Sequence, residues 1–186
     1  MNPREVQKFR IREILVPLLI LVAVIFMWIL KNNSISQEEN TFKSDNPDFE
    51  LYAQADFDFE SLFEYNLPIV LDFGASWCGP CQLMKPVLEK MNKDLQGQVI
   101  IKYIDVDELP EFSAEFPITV VPTQFFFMAD GTPYIPGENA QVDFRTYKLA
   151  DTGAHALTAH EGYLDEAGLL LILEEMGFQI SGGTPQ

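Results

Sequence analysis

The 186 residues contain only two cysteines, Cys78 and Cys81, and only Gly79 and Pro80 lie between them. Two thiols at that spacing have three chemistries open to them: part of a metal site, a structural cross-link, or a reversible redox pair. A structural zinc site takes four ligands, commonly Cys and His, and the only histidines are His155 and His160. These stand five apart in a segment that reads as a strand, where an odd spacing points side chains to opposite faces. They cannot easily meet at one ion, so no metal is expected. A c-type haem needs His directly after the second cysteine, and Gln82 stands there. As a staple, a bridge across two residues closes almost no loop and constrains the unfolded chain little. The redox pair is the best supported of the three, with no cofactor beyond a Cys78–Cys81 disulfide.

The elements that position the pair give it a mechanism. "PIVLDFG", Pro68 to Gly74, is a compact apolar run that reads as a buried strand. A helix follows, with Met84, Val87, Leu88, Met91 and Leu95 on one face and Gly97 as its stop. The cysteines therefore fall where a strand ends and a helix begins. A helix N-terminus carries unpaired N–H groups and partial positive charge, which stabilises a thiolate at Cys78 and lowers its pKa. The thiolate is the nucleophile of disulfide exchange. Cys81, one turn later, is placed to attack the mixed disulfide and release the partner. Pro80 is tolerated in the first turn because its missing N–H had no helical partner.

The remaining elements complete an α/β domain. "VIIKYIDVD", Val99 to Asp107, reads as a second buried strand, parallel to the first in a βαβ unit. "FELYAQ", Phe49 to Gln54, alternates weakly and is expected to be a first strand; "DFDFESLFEYN" reads as an Asp-capped short helix. After the second strand come a short acidic helix, "ELPEFSAEF", the strand "TQFFFM", a turn at "ADG" and the strand "HALTAH". The last helix carries Leu169, Ile172, Leu173 and Met176 on one face and ends at Gly177. The expected architecture is a central mixed sheet with helices on both faces.

"VLDFGASWCGPCQLMKPVLEKM" resembles the active-site segment of thioredoxins. The likeness covers WCGPC itself, an Asp six residues before the first cysteine and a Pro five residues after the second. "VVPTQFFF" resembles the second motif of that family, a cis-proline after a hydrophobic residue. The resemblance spans residues 48–178 and implies a thioredoxin-like fold. It implies that Cys78 attacks, that Cys81 resolves, and that Asp72 is a buried acid that helps deprotonate the second cysteine, its pKa raised by burial. Trp77, Gly79, Pro80, Val121, Pro122 and Gly162 would form the groove for a client chain, with Pro122 cis and the backbone of Val121 pairing with the client. Pro86 resembles a helix-kinking proline. Two departures stand out. Thioredoxins commonly pair the buried Asp with a Lys on the next strand, whereas here Tyr103 takes that position and Lys102 faces the other way. Residues 132–152 are extra, and "QVDFRTYKL" within them has the character of a strand that would extend the hairpin with "AHALTAH".

The N-terminus differs from the rest. Ile14 to Leu30 is a run of 17 residues without a charge, preceded by Arg4, Lys8, Arg10 and Arg12. That length meets the lower bound for a spanning helix, about 17–25 residues, and the basic flank marks the N-terminal side as cytoplasmic. A cleaved signal peptide fits less well, because the run exceeds an h-region of about 7–15 residues and no A-x-A follows it. The expected organisation is a basic N-terminus (1–13), a transmembrane anchor (14–30), a flexible linker (31–47), the thioredoxin-like domain (48–178) and a tail (179–186). The chain carries 28 Asp and Glu against 12 Lys and Arg, a net charge of −16, so a nucleic-acid partner is not expected. The expected function is membrane-tethered, extracytoplasmic thiol–disulfide exchange that reduces protein disulfides. A transmembrane electron donor would recharge it. The alternatives are an oxidase or isomerase, or a non-catalytic tethered binding module.

Overall fold

Side chains alternate along the first strand, β1 (Ile69–Gly74): Ile69, Leu71 and Phe73 enter one core while Val70 enters another on the opposite face. Both faces are fully buried, which explains why the run lacks a polar stripe. The computed structural model describes residues 20, 21, 25, 27, 44, 46–138 and 140–179. The expected anchor 14–30 lies outside them except for Ile20, Leu21, Ile25 and Met27, which are helical. No helix among the described residues is long and apolar enough to cross a membrane. The basic N-terminus 1–13, most of the linker and nearly all of the tail also lie outside the described residues.

From β1 the chain enters α1 (Gly79–Asp94) and returns in β2 (Ile100–Asp105), parallel to β1 with Asp72 opposite Tyr103. A single-turn helix, α2 (Pro110–Ser113), leads to β3 (Thr123–Phe127), antiparallel to β1. Then come β4 (Arg145–Lys148), β5 (His155–Glu161) and α3 (Glu166–Glu175). The sheet order is β2-β1-β3-β5-β4, so it is mixed, as expected. Met84, Leu88 and Met91 of α1 and Leu169, Ile172 and Leu173 of α3 cover one face. The other face is packed by Leu62 and a set of phenylalanines, where Phe59 meets Phe127 and Phe73 meets Phe125 edge to face.

One expectation at the start of the domain needs correction. "FELYAQ" is not a strand. Its backbone pairing with β2 is a single bridge, Tyr52 to Tyr103, flanked by hydrogen bonds from Tyr103 N to Leu51 O and from Ala53 N to Tyr103 O. Side chains take the carbonyls that a strand neighbour would use. Lys102 Nζ donates to Pro47 O at 2.9 Å and Glu50 O at 2.7 Å, and Asn92 Nδ2 and Gln96 Nε2 both reach Phe49 O. Pro47–Phe49 forms a 3₁₀ turn capped by Asn46, whose amide donates to Tyr65 Oη. The short helix is real but tighter than an α-helix: Glu60–Tyr65 is 3₁₀ with Phe59 at its N-cap, and Asp58 Oδ1 just before it accepts from Glu60 N.

The extra segment 132–152 contributes β4, which pairs antiparallel with β5 and forms the outer edge of the sheet. The expected hairpin extension is therefore present.

Candidate active site

Cys78 is the N-cap of α1, and Cys81 lies in its first turn. The two are joined as a disulfide with Cα atoms 5.2 Å apart. Cys81 N donates to Cys78 Sγ at 3.2 Å, so a helix N-terminal amide addresses the first sulfur directly. Cys78 keeps 6% exposure and Cys81 has none. An approaching molecule therefore meets Cys78 first. Gly79 and Pro80 form the exposed outer side of this turn. A Cβ on Gly79 would meet nothing within 4 Å, so space inside the chain does not require glycine there.

The loop before β3 closes the site from the side. The Val121–Pro122 peptide bond is cis, and Val121 O lies 3.5 Å from Cys78 Sγ. Pro122 O accepts from Gly162 N at 2.8 Å. Gly162 has φ +111°, a conformation that side-chain-bearing residues rarely adopt. Trp77 is 70% exposed, and its Nε1 donates to Asp107 Oδ2 at 2.7 Å. It shares a cavity of about 370 Å³ with Val106, Ile118, Val120 and Val121. The structure thus gathers Cys78, Trp77, Val121, Pro122 and Gly162 at one end of the sheet. Pro86 sits inside α1 on its exposed side and the helix continues through it.

Asp72 lies beneath this surface and is fully buried. Burial pushes its carboxyl up to about 7, against a lowering effect from Gln124. Gln124 Nε2 donates to Asp72 Oδ1 at 2.7 Å and also approaches Met84 Sδ and Gly162 O, each at 3.4 Å. Cys81 and Met84, three residues apart, share the buried face of α1. Gln124 thus connects the carboxyl to Met84 on that face. Tyr103 stands opposite Asp72 with its hydroxyl buried and without a hydrogen-bond partner among the described residues. Burial raises that phenol. Gly74 admits the ring, since a Cβ there would sit 2.6 Å from Tyr103 Cε2. Lys102 does face the other way, into the carbonyls of the 47–50 turn, and burial lowers its ammonium to about 8.

Gln124, Asp107 and the loop 113–120 were not foreseen from sequence. Gln124 carried a signal, because it is the one amide in the apolar run "TQFFFM". The histidines are turned to local partners. His155 Nε2 lies 2.9 Å from Thr158 Oγ1, and His160 Nδ1 lies 3.0 Å from Asp143 O. No group of three His, Cys, Asp or Glu side chains among the described residues is placed to hold a metal ion.

A redox-type cysteine pair at the start of a helix, beside a cis-proline and following a strand that carries a buried acid, defines a dithiol–disulfide site on a mixed α/β sheet. Residues 50–147 match the thioredoxin family model, and the chain belongs to the thioredoxin family. The match stops inside the extra segment, so β5, Gly162 and α3 lie beyond it. A thioredoxin of Staphylococcus aureus is 42% identical over 78 residues, which are 42% of this chain and 73% of that one. A thioredoxin of Rickettsia conorii is 37% identical over 68 residues, 37% of this chain and 65% of that protein, so this chain spans just under two thirds of it. Among solved structures, chloroplastic thioredoxin z is 26% identical, with a TM-score of 0.45 over 65% of this chain and 91% of that one.

Proposed function

We propose that this chain is a thiol–disulfide oxidoreductase that reduces disulfides of proteins, held at the outer side of a cytoplasmic membrane by residues 14–30. The observation that carries the chemistry is the asymmetry of the pair: Cys78 keeps slight exposure and receives a helix N-terminal amide, and Cys81 is fully buried. In the dithiol form the Cys78 thiolate attacks one sulfur of a client disulfide and expels the other as a thiolate, giving a mixed disulfide. Cys81 then loses its proton to Asp72 and attacks Cys78 Sγ. The client leaves reduced by two electrons, and the Cys78–Cys81 disulfide is formed. An acid with its pKa near 7 suits this step, since it exchanges protons near neutral pH. Trp77, Gly79, Pro80, Val121, Pro122 and Gly162 border the surface on which the client chain lies, and the Val121 backbone pairs with it.

The reducing direction rests on the surroundings of Cys78. Its sequence neighbours are Trp77 and Gly79, and the nearest cation in sequence, Lys85, is held over the rings of Tyr103 and Tyr52 at 5.1 and 5.6 Å. The helix N-terminus therefore acts mostly alone, and the thiolate is only modestly stabilised. This supports a potential nearer the reducing value of about −270 mV than the oxidising value of about −120 mV. A reductant outside the cytoplasm needs recharging, and the chemistry calls for a transmembrane dithiol carrier as electron donor.

The test uses the full-length chain. It should reduce insulin disulfides in the presence of dithiothreitol, and Cys78→Ser should abolish the activity. Equilibration with glutathione should give a potential close to the reducing value. No turnover would favour a non-catalytic binding module, and a value near −120 mV would favour an oxidase.

A further inference from the structure

The carboxyl of Asp72 is buried with an uneven set of partners. Among the described residues no cation touches it. The facing residue on β2 is Tyr103, and Lys102 beside it is turned to the other side of the sheet. From α1, Met84 approaches the site, and the ammonium of Lys85 lies over the outer Tyr103 ring rather than on the acid. From β3 comes the fully buried Gln124, whose Nε2 gives Asp72 Oδ1 a 2.7 Å hydrogen bond. Asp72 Oδ2 has no hydrogen-bond partner among the described residues.

We propose that Gln124 is the positioning residue for Asp72: its amide fixes one carboxylate oxygen and leaves the other as the oxygen that receives and returns the proton of Cys81. This rests on the exchange chemistry proposed above. A primary amide can do this without fixing the charge of the acid. An ammonium in that place would hold the carboxylate ionised through Coulomb attraction. A neutral N–H donor favours the anion less, because it offers a hydrogen bond without a full charge. The acid stays poised between its two forms. The second proton of Gln124 Nε2 is shared between Met84 Sδ and Gly162 O, each 3.4 Å away. The same side chain therefore ties the acid to the α1 face that carries Cys81 and to the groove glycine. When the mixed disulfide resolves, the proton leaves Cys81 Sγ for Asp72 Oδ2, the Cys81–Cys78 bond forms, and the bond from Cys78 to the client sulfur breaks. The departing thiolate takes a proton from solvent.

Gln124→Met keeps the length and apolar bulk of the side chain but removes the donor. A hydrogen bond to a charged acceptor is worth enough to move the titration midpoint by about one pH unit. In the full chain labelled at aspartate carboxyl carbons, with Asp72 assigned by its loss in Asp72→Asn, the Asp72 midpoint should rise by about that much in Gln124→Met. The acid limb of insulin reduction should move upward with it, slowing the reaction roughly tenfold at pH 6. In the Asp72→Asn background, Gln124→Met should leave the pH profile unchanged. A folded Gln124→Met chain with an unmoved Asp72 midpoint overturns the proposal, as does a shift in the profile that persists without Asp72. Should the variant not fold, the unaltered protein decides. The side-chain amide protons of Gln124 should titrate with the Asp72 carbon, and independent midpoints refute the coupling. The carbon titration reads Gln124 even if the chain reduces no disulfide, so failure of the reductase reading and failure of this one are distinguishable.

Discussion

At the scale of single residues, Asp72 imposes a measurable penalty on the fold. Its folded pKa, about 7, lies above the ordinary value of 3.8. Between about pH 4 and pH 7 the folded state therefore binds more protons than the unfolded state, so stability falls as pH rises through that window. Above pH 7 the whole penalty is present. A pKa unit corresponds to about 1.4 kcal/mol, so burying the ionised form costs on the order of 4 kcal/mol. Asp72→Asn should raise the unfolding free energy at pH 8 by a few kcal/mol and leave it nearly unchanged at pH 4, read from urea titrations. An equal effect at both pH values would show that Asp72 is not the titrating group. The position of Asp72 was legible because an acid inside an otherwise apolar strand has few reasons to be there. The role of Gln124 was not, since its partner lies 52 residues away and only the β1–β3 register brings the two together.

At the scale of elements, the added strand β4 braces the loop that leads into β3. Tyr147 Oη donates to Pro117 O at 3.2 Å. Arg145 pairs with Glu161 at 2.8 Å, and Glu161 accepts from Thr119 Oγ1 at 3.3 Å. Both links end on the segment that runs into cis-Pro122. Removing them should loosen that segment without touching the cysteines. Each link is worth about 1 kcal/mol or less. The double variant Arg145→Ala/Tyr147→Phe is therefore expected to raise KM for a protein disulfide several-fold and leave kcat within about twofold. An unchanged KM would make β4 a simple edge extension. Strand character in "QVDFRTYKL" made β4 legible. What it braces was hidden, because the receiving groups are a backbone carbonyl and a surface threonine in a loop with no motif. The opposite edge misled for the converse reason. "FELYAQ" alternates like a strand, but Lys102, Asn92 and Gln96 capture the carbonyls of Pro47–Glu50 and leave one bridge to β2. Alternation reports which face is buried, and side chains from elsewhere decide whether the ladder forms.

At the scale of the whole molecule, charge is divided as sharply as hydropathy. Residues 1–13 hold four Lys and Arg and two Asp and Glu, and residues 14–30 hold neither. The remaining residues therefore carry 12 − 4 = 8 cations and 28 − 2 = 26 anions, a net charge of −18. Cationic flanks stay on the cytoplasmic side, and long segments translocate largely regardless of their own charge. On the topology proposed above, both facts favour residues 31–186 lying outside, behind a retained anchor. A domain of that charge is repelled by anionic headgroups at short range. Protease added to cells with an intact cytoplasmic membrane should therefore digest the domain, and alkaline extraction should leave the undigested chain in the membrane fraction. Protection from protease would place the domain inside. A soluble form beginning near residue 37 would replace the anchor with a cleaved leader, without changing the chemistry proposed for Cys78 and Cys81.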